Sequence, residues 1–124
     1  MAVEQYLPQF VATFCLELIV YGILLQREFS KKQILAVCMF LNVITHPLVC
    51  LVFPRWLGNY FWIPAELFAW VVEALLLLAF ARWVAHYKME WTNAFAISLA
   101  ANALSAGVGL LIFSGYSLFF RALQ

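Results

Sequence analysis

The sequence predicts an all-α membrane protein that forms one domain with four transmembrane helices. Of its 124 residues, 67% are hydrophobic and 10% are charged, whereas soluble domains are about 45–50% apolar and about 25% charged. The hydrophobic residues form runs of about 20, the length that a helix needs to cross a hydrocarbon core of about 30 Å. Backbone groups in lipid need hydrogen-bond partners within the protein, so we expect these runs to be helices rather than strands.

Four runs qualify as spans, and polar or turn-forming residues separate them. Ser30 is expected to cap the second helix, and Pro54 to end it. Pro64 falls in the first turn of the third helix, where its missing N–H costs no hydrogen bond. Connections of at most about ten residues make consecutive helices antiparallel neighbours. Within the single domain 1–124, the predicted spans are about 7–25, 34–53, 63–85 and 92–114.

The distribution of Lys and Arg predicts the orientation in the membrane. Basic residues near span ends stay on the cytoplasmic side. The first and third connections carry five of the seven Lys and Arg residues. We therefore expect a multi-pass protein of the inner (plasma) membrane with both termini on the non-cytoplasmic side. The five are Arg27, Lys31, Lys32, Arg82 and Lys88, and the other two are Arg55 and Arg121.

The two halves of the chain carry the same polar pattern, a Glu in one helix and Asn-x-x-Thr/Ser in the next. This pattern predicts two parallel copies of a helical hairpin, related by a pseudo-twofold axis along the membrane normal. Chance similarity between apolar helices is the alternative. The matching residues are Glu17, Asn42 and Thr45 in the first half and Glu73, Asn102 and Ser105 in the second.

Four of these residues, Glu17, Asn42, Glu73 and Asn102, fall near the middle of their spans. A charged side chain at that depth costs at least about 2.5–3.5 kcal/mol, so such residues face the interior of a bundle. The sequence places no Lys or Arg there. We expect both glutamates to be mostly uncharged, each donating a hydrogen bond to an Asn carboxamide. The four residues are the candidates for binding an ion or a small solute.

A second polar group lies nearer the outer end of the second helix. Thr45 and His46 are followed by Pro47, which removes the hydrogen bond to the carbonyl of Val43 and is expected to kink the helix. Glu66 on the third helix falls at about the depth of His46, so we expect the two side chains to be in contact. Thr45, His46 and Glu66 are the candidates for a gate or a pH sensor.

Small residues repeat along the fourth helix. Ala101, Ser105 and Gly109 are spaced by four residues, and small residues of this kind let helix backbones approach closely. Together with Pro47 they are the predicted packing positions. The same face suits self-association equally well, so we expect a homo-oligomer or an assembly with other membrane subunits.

Other classes of function are not indicated. The sequence has no Gly-rich phosphate loop, His-Glu-x-x-His motif or nucleophile elbow, which predicts that the chain is not an enzyme. A net charge of +1 without a basic stretch predicts no nucleic-acid partner. His46 and Glu66 are fewer than the three or four ligands that a zinc site needs, so we predict no metal and no cofactor.

The motif Thr45-His46-Pro47-Leu48, with Glu66, Val72-Glu73-Ala74, Asn102 and Ser105, resembles a pattern of small four-helix bacterial membrane proteins of unassigned function. The resemblance covers most of the chain and implies a membrane fold without an activity. Small multidrug transporters share a Glu in the first helix, and fluoride channels share an Asn-rich helix. The surrounding motifs of both families are missing here, so no residue is carried over from either.

Two functions stay open. The first is proton- or cation-linked transport or conduction of a small solute, in which Glu17 and Glu73 exchange protons or coordinate a cation. The second is a non-catalytic structural or accessory subunit of a membrane complex, whose polar residues form interhelical hydrogen bonds of about 0.6 kcal/mol each. Three intramembrane glutamates exceed what packing requires, which favours the first function.

Overall fold

A computed structural model describes the backbone of residues 3–122 and the side chains of residues 4 and 6–112. The described chain is helical and contains no strand, which confirms the predicted all-α class. A π-helical turn, Leu48–Val52, follows the second helix, and a 3₁₀ turn, Gly58–Tyr60, follows the third. The helices are α1 (Val3–Leu24), α2 (Lys31–Pro47), α3 (Phe53–Leu57), α4 (Trp62–Trp83) and α5 (Trp91–Ala122).

Four segments of the described chain are long and apolar enough to cross a membrane, as the sequence predicts. Three of them begin and end within a few residues of the predicted bounds, and α5 continues as a helix beyond its span to Ala122. The second is longer than predicted. The four segments are Tyr6–Leu24, Lys31–Tyr60, Trp62–Trp83 and Trp91–Ile112.

The second segment runs through both Pro47, which was expected to kink the helix, and Pro54, which was expected to end it. After Pro47 the helix continues as a wider π turn, in which the N–H of Phe53 donates to the carbonyl of Leu48. Pro54 lies in the first turn of α3, where its missing N–H is not needed. The prediction that Pro54 ends the span is therefore wrong. The segment turns only at Gly58, whose φ of +56° is a conformation that glycine adopts readily.

The start of α2 has the cap that the sequence predicts. The side chain of Ser30 accepts a hydrogen bond from the backbone N–H of Gln33 at 3.2 Å. The side chain of Gln33 accepts one from the backbone N–H of Ser30 at 3.0 Å. This reciprocal pair is a capping box, which satisfies two backbone donors at the helix end.

The four long helices pack in a ring. α1 packs against α2 and α5, and α4 packs against the same two helices. α1 and α4, which carry the two midplane glutamates, therefore face each other across the centre. The loops 25–30 and 84–90 meet at one end, where the ring of Phe29 lies 5.9 Å from that of Phe80 and 6.3 Å from that of Tyr87.

Polar residues fill the middle of the ring, and apolar residues cover its outside. Large side chains such as Ile19, Val43 and Leu75 are more than half exposed, as expected of a surface that lipid surrounds. The buried polar side chains come from every long helix. They are Glu17, Asn42, Thr45, His46, Glu73, Ser98 and Asn102.

Candidate functional site

Glu17 lies in the middle of α1, and its side chain is 2% exposed. Its Oε2 accepts a hydrogen bond from Nδ2 of Asn42 on α2 at 2.7 Å. Its Oε1 accepts one from the hydroxyl of Ser105 on α5 at 3.2 Å. Both carboxyl oxygens are therefore used, and the carboxyl joins α1 to its two neighbours.

Glu73 occupies the equivalent place on α4 and is also 2% exposed. Its Oε2 accepts from Nδ2 of Asn102 at 2.7 Å, and its Oε1 accepts from the hydroxyl of Thr45 at 2.6 Å. A third donor, the hydroxyl of Tyr21, lies 3.4 Å from Oε2. Glu73 thus joins α4 to α5, α2 and α1.

The two glutamates have matching partners. Each accepts from an Asn of its own half of the chain and from a hydroxyl of the other half, so Thr45 reaches Glu73 and Ser105 reaches Glu17. The predicted pairing of Glu with Asn is confirmed. The predicted relation between whole parallel hairpins stays a prediction.

The correspondence extends one helical turn beyond the predicted motif. Each Asn side chain also donates to the backbone carbonyl four residues earlier, at 3.1 Å for Cys38 and 3.0 Å for Ser98. The side chains of Cys38 and Ser98 in turn donate to the carbonyls of Phe14 and Trp70, at 3.7 Å and 2.9 Å. Those carbonyls each lie three residues before a glutamate. The sequence signal for this longer match is the pattern Cys/Ser-x-x-x-Asn-x-x-Thr/Ser, which begins at Cys38 in the first half and at Ser98 in the second.

The direction of the Glu–Asn hydrogen bonds differs from the expectation. The glutamates were expected to donate to the Asn carbonyl, but in the structure Asn42 and Asn102 present their NH₂ groups to the carboxyls. The reason is that each NH₂ group also satisfies a carbonyl one turn back along its own helix. A carboxyl proton must therefore be shared with a group other than the Asn side chain.

The two hydroxyls are such groups. Thr45 Oγ1 lies 2.6 Å from the carboxyl of Glu73 and 3.0 Å from the carbonyl of Leu41. Ser105 Oγ lies 3.2 Å from the carboxyl of Glu17 and 3.1 Å from the carbonyl of Asn102. A hydroxyl has one proton to donate. It donates to an ionised carboxylate, but it accepts from a protonated carboxyl and then donates to the backbone carbonyl.

The two glutamates and their side-chain partners form one buried layer in the middle of the bundle, made of Glu17, Asn42, Thr45, Glu73, Asn102 and Ser105. This layer is more suited to holding protons than to holding a metal cation. All four carboxyl oxygens accept hydrogen bonds from neutral protein donors. The Asn side chains offer N–H groups rather than oxygens to the carboxyls. Within the described residues there is no cluster of three or more His, Cys, Asp or Glu side chains that could hold a metal ion.

The predicted contact between His46 and Glu66 is not confirmed, because no hydrogen bond or ion pair joins the two side chains in the part of the chain that the structure describes. His46 is 7% exposed, and its ring lies edge-on to those of Tyr6 and Phe10, with centroids 5.2 and 5.3 Å away. The cause is the helical rotation of about 100° per residue. Thr45 faces α4 and bonds Glu73, so the next residue, His46, faces α1 instead.

The two ring nitrogens of His46 have different surroundings. Nε2 lies 3.6 Å from the sulfur of Cys50, one turn along the chain. Nδ1 is buried and has no hydrogen-bond partner among the described residues. Glu66 is half-buried, and its side chain makes no hydrogen bond within the part of the chain that the structure describes. A gate or pH-sensing role for His46, Glu66 and Thr45 stays a prediction.

The predicted packing residues of α5 differ in their surroundings. Ala101 is buried, and Ser105 is half-buried against Glu17. Gly109 is exposed, and a Cβ added there would meet no atom within 4 Å. The described residues therefore give no support to a packing role for Gly109 within one chain, and its role in self-association stays a prediction. Two further small residues of α5, Ala94 and Ser98, are buried along with Ala101.

Two surface grooves lie near the end formed by the loops 25–30 and 84–90. One, of about 310 Å³, is lined by residues that include Leu25, Glu28 and Tyr87. The other, of about 590 Å³, is lined by residues that include Lys88 and Trp91. Neither groove reaches Glu17 or Glu73, so the buried layer is the more specific candidate site.

Comparison of the chain with protein-family models, curated proteins and solved structures finds no match.

Proposed function

We propose that this integral membrane protein moves protons across the bilayer, alone or together with a small solute, by protonation and deprotonation of Glu17 and Glu73. One observation carries the proposal. Each carboxyl is bonded to a hydroxyl from the other half of the chain, and that hydroxyl also lies within reach of a backbone carbonyl. Gain or loss of a carboxyl proton therefore reverses a hydrogen bond between the two halves.

This reversal couples protonation to helix packing. With Glu73 ionised, Thr45 donates across to α4, and the bond is charge-assisted and short. With Glu73 protonated, Thr45 turns its proton to the carbonyl of Leu41 and becomes the acceptor. The bond between α2 and α4 is then neutral and weaker. The same change at Glu17 alters the contact between α1 and α5.

Protons must also reach the layer from an end of the bundle. Glu66 is seven residues before Glu73 on α4, about 10 Å along the axis at 1.5 Å per residue, so water must bridge them. It is half-buried and has no protein hydrogen bond of its own among the described residues. We place it, with His46, at the outer gate of the path.

Proteoliposomes with a trapped pH-sensitive dye test the proposal. An inward proton gradient is imposed, with the membrane potential clamped by K⁺ and valinomycin. Wild-type vesicles are expected to acidify faster than empty vesicles, and Glu17→Gln and Glu73→Gln to lower the rate to that of empty vesicles. The measurement is repeated with mixtures of amino acids, sugars and organic amines to detect coupled transport.

The matched control is Glu28→Gln. Glu28 is exposed in the loop after α1, so the substitution removes one carboxylate without touching the layer and should keep the wild-type rate. Wild-type vesicles that behave like the Glu17→Gln/Glu73→Gln double variant under every condition would reject the proposal.

A structural or accessory role is the second candidate, and a separate observation favours it. Both oxygens of each carboxyl already have protein partners, so the layer is complete without a ligand. Native mass spectrometry after gentle extraction separates the candidates. A homo-oligomer of 14.2 kDa chains favours transport, whereas a fixed stoichiometry with other chains favours the accessory role.

We further propose that both termini lie on the non-cytoplasmic side of the inner (plasma) membrane. The loops 25–30 and 84–90 share one end of the bundle, and the flanking residues Lys31, Lys32 and Arg82 are exposed there. Labelling of single cysteines by a membrane-impermeant reagent in intact cells tests this orientation. A cysteine at Asn59 should react and one at Lys88 should not, in a background with Cys15, Cys38 and Cys50 replaced by Ala.

A further inference from the structure

The two halves of the buried layer match at the Glu and Asn positions and both carry a hydroxyl that reaches the opposite glutamate, but they differ in the residue one turn after each glutamate. Tyr21 lies four residues after Glu17, and the residue four after Glu73 is Leu77. Both side chains are fully buried. Only the first carries a hydroxyl, and it donates to Glu73. Tyr21 therefore gives Glu73 a donor that has no counterpart at Glu17.

The result is an unequal number of donors. Glu73 accepts from three side chains, with its shortest contact 2.6 Å, to Thr45. Glu17 accepts from two, and its hydroxyl contact, to Ser105, is longer at 3.2 Å. Donors that point at a carboxyl group stabilise its ionised form. Short O–H···O contacts of about 2.5–2.7 Å are typical of a bond to a carboxylate.

The other titratable groups near the pair do not reverse this difference. They are Tyr21 of α1, Cys38 of α2 and Glu66 of α4. None of them is a cation, and among the α5 side chains that the structure describes only the neutral ones of Ser98, Asn102 and Ser105 take part. Two neighbouring carboxyls without a cation do not both ionise readily, because each negative charge opposes the other.

We propose that Tyr21 is a positioning residue that makes the pair unequal, so that the layer holds one proton, on Glu17, while Glu73 is ionised. The inference deepens the proposed function and rests on it for the exchange of that proton with the outside. In this state Thr45 donates to Glu73, and Glu17 donates its proton to Ser105. The buried hydroxyl of Tyr21 has its partner in the carboxylate of Glu73, as a buried Tyr requires.

Nuclear magnetic resonance of the full chain in lipid bicelles tests the inference at equilibrium, without transport. The chain has six Glu and no Asp, so labelling Glu with ¹³C at Cδ gives six side-chain carboxyl signals. Glu17→Gln and Glu73→Gln identify the two signals of the pair. At neutral pH, the Glu17 signal is expected at the shift of a carboxylic acid, and the Glu73 signal at that of a carboxylate.

Tyr21→Phe is expected to remove the difference. Its Glu73 signal should move towards the acid shift, and its Glu17 signal towards the carboxylate shift. Tyr60→Phe is the matched control, because Tyr60 is 87% exposed, and it should leave both signals in place. A wild-type spectrum with equal shifts, or with the proton on Glu73, would overturn the inference, as would no change in Tyr21→Phe.

The vesicle experiment tests the proposed proton transport, and the magnetic resonance experiment tests the role of Tyr21, so either proposal can be rejected without the other. Unequal shifts that depend on Tyr21, together with no proton flux, would reject the proposed function and keep the proton assignment. Flux that needs both glutamates, together with equal shifts, would keep the proposed function and reject the role of Tyr21.

Discussion

The hydroxyl of Thr45 and the carboxyl of Glu73 come from opposite halves of the chain, and their oxygens lie 2.6 Å apart in the middle of the bundle. Ser105 and Glu17 make the reciprocal contact at 3.2 Å. Because the Asn partners come from the same half as each glutamate, the hydroxyls of Thr45, Ser105 and Tyr21 are the side chains of the layer that join the two halves. The stability of the bundle and the response of the layer to protons therefore depend on the same hydroxyl–carboxyl contacts.

Thr45→Val should destabilise the protein. The substitution keeps the shape of the side chain but leaves Oε1 of Glu73 without a donor. Interhelical hydrogen bonds in membrane proteins contribute about 0.6 kcal/mol on average and about 1.7 kcal/mol at most. We expect a loss near the upper value, measured as the free energy of unfolding in a detergent titration.

Two variants check that the hydroxyl is the cause. Thr45→Ser keeps the donor and should lose less than half as much stability as Thr45→Val. Thr92→Val makes the same chemical change at an exposed position in the first turn of α5, and it should have little effect. Equal losses in Thr45→Ser and Thr45→Val would show that the methyl group matters and the hydroxyl does not.

Ser30→Ala should weaken the start of α2. The side chain of Ser30 accepts the N–H of Gln33, and removing an N-cap oxygen costs about 1 kcal/mol. Ser30→Asp keeps an acceptor at the cap and should retain most of the stability. Hydrogen exchange of the amides of residues 31–34 measures the effect locally. Protection of these amides that is the same in Ser30→Ala and wild type would contradict the capping role.

The membrane architecture and the polar layer are predictable from sequence because both follow from local rules. In the hydrocarbon core, backbone N–H and C=O groups must form their hydrogen bonds within the protein. Runs of about 20 apolar residues therefore predict membrane-spanning helices. Polar residues at the midplane must face inwards, which identifies Glu17, Asn42, Glu73 and Asn102. These rules need only the position of a residue along its helix.

The expectations that the structure does not support concern side chains whose contacts depend on their direction around the helix axis rather than on their depth in the membrane. Depth alone paired His46 with Glu66, but the rotation between Thr45 and His46 places the histidine among the rings of Tyr6 and Phe10. Tyr21 was missed for the same reason, since an aromatic residue in a span gives no sign that its hydroxyl reaches a carboxyl on another helix. The π turn after Pro47 depends on hydrogen-bond register, which sequence spacing does not show.

His46→Phe should leave the protein as stable as wild type or make it more stable. The ring already lies between Tyr6 and Phe10, and the buried Nδ1 has no described partner. An unsatisfied buried polar atom costs about 1–3 kcal/mol. Thermal unfolding in detergent measures the change. His46→Ala is the comparison, and it should be less stable because it leaves a cavity. A His46→Phe protein as unstable as His46→Ala would show that the imidazole has a partner of its own.

Gly109→Ala should stabilise the single chain. Gly109 lies inside α5, and an added Cβ meets no atom within 4 Å. Glycine is the poorer helix former by about 0.8–1.0 kcal/mol in water, so the gain in unfolding free energy should approach that value. Gly107→Ala, at a second open position of the same helix, should behave in the same way. If either variant instead loses stability, and its assembly mass falls in native mass spectrometry, another chain packs against this face of α5 and the small residues there serve self-association.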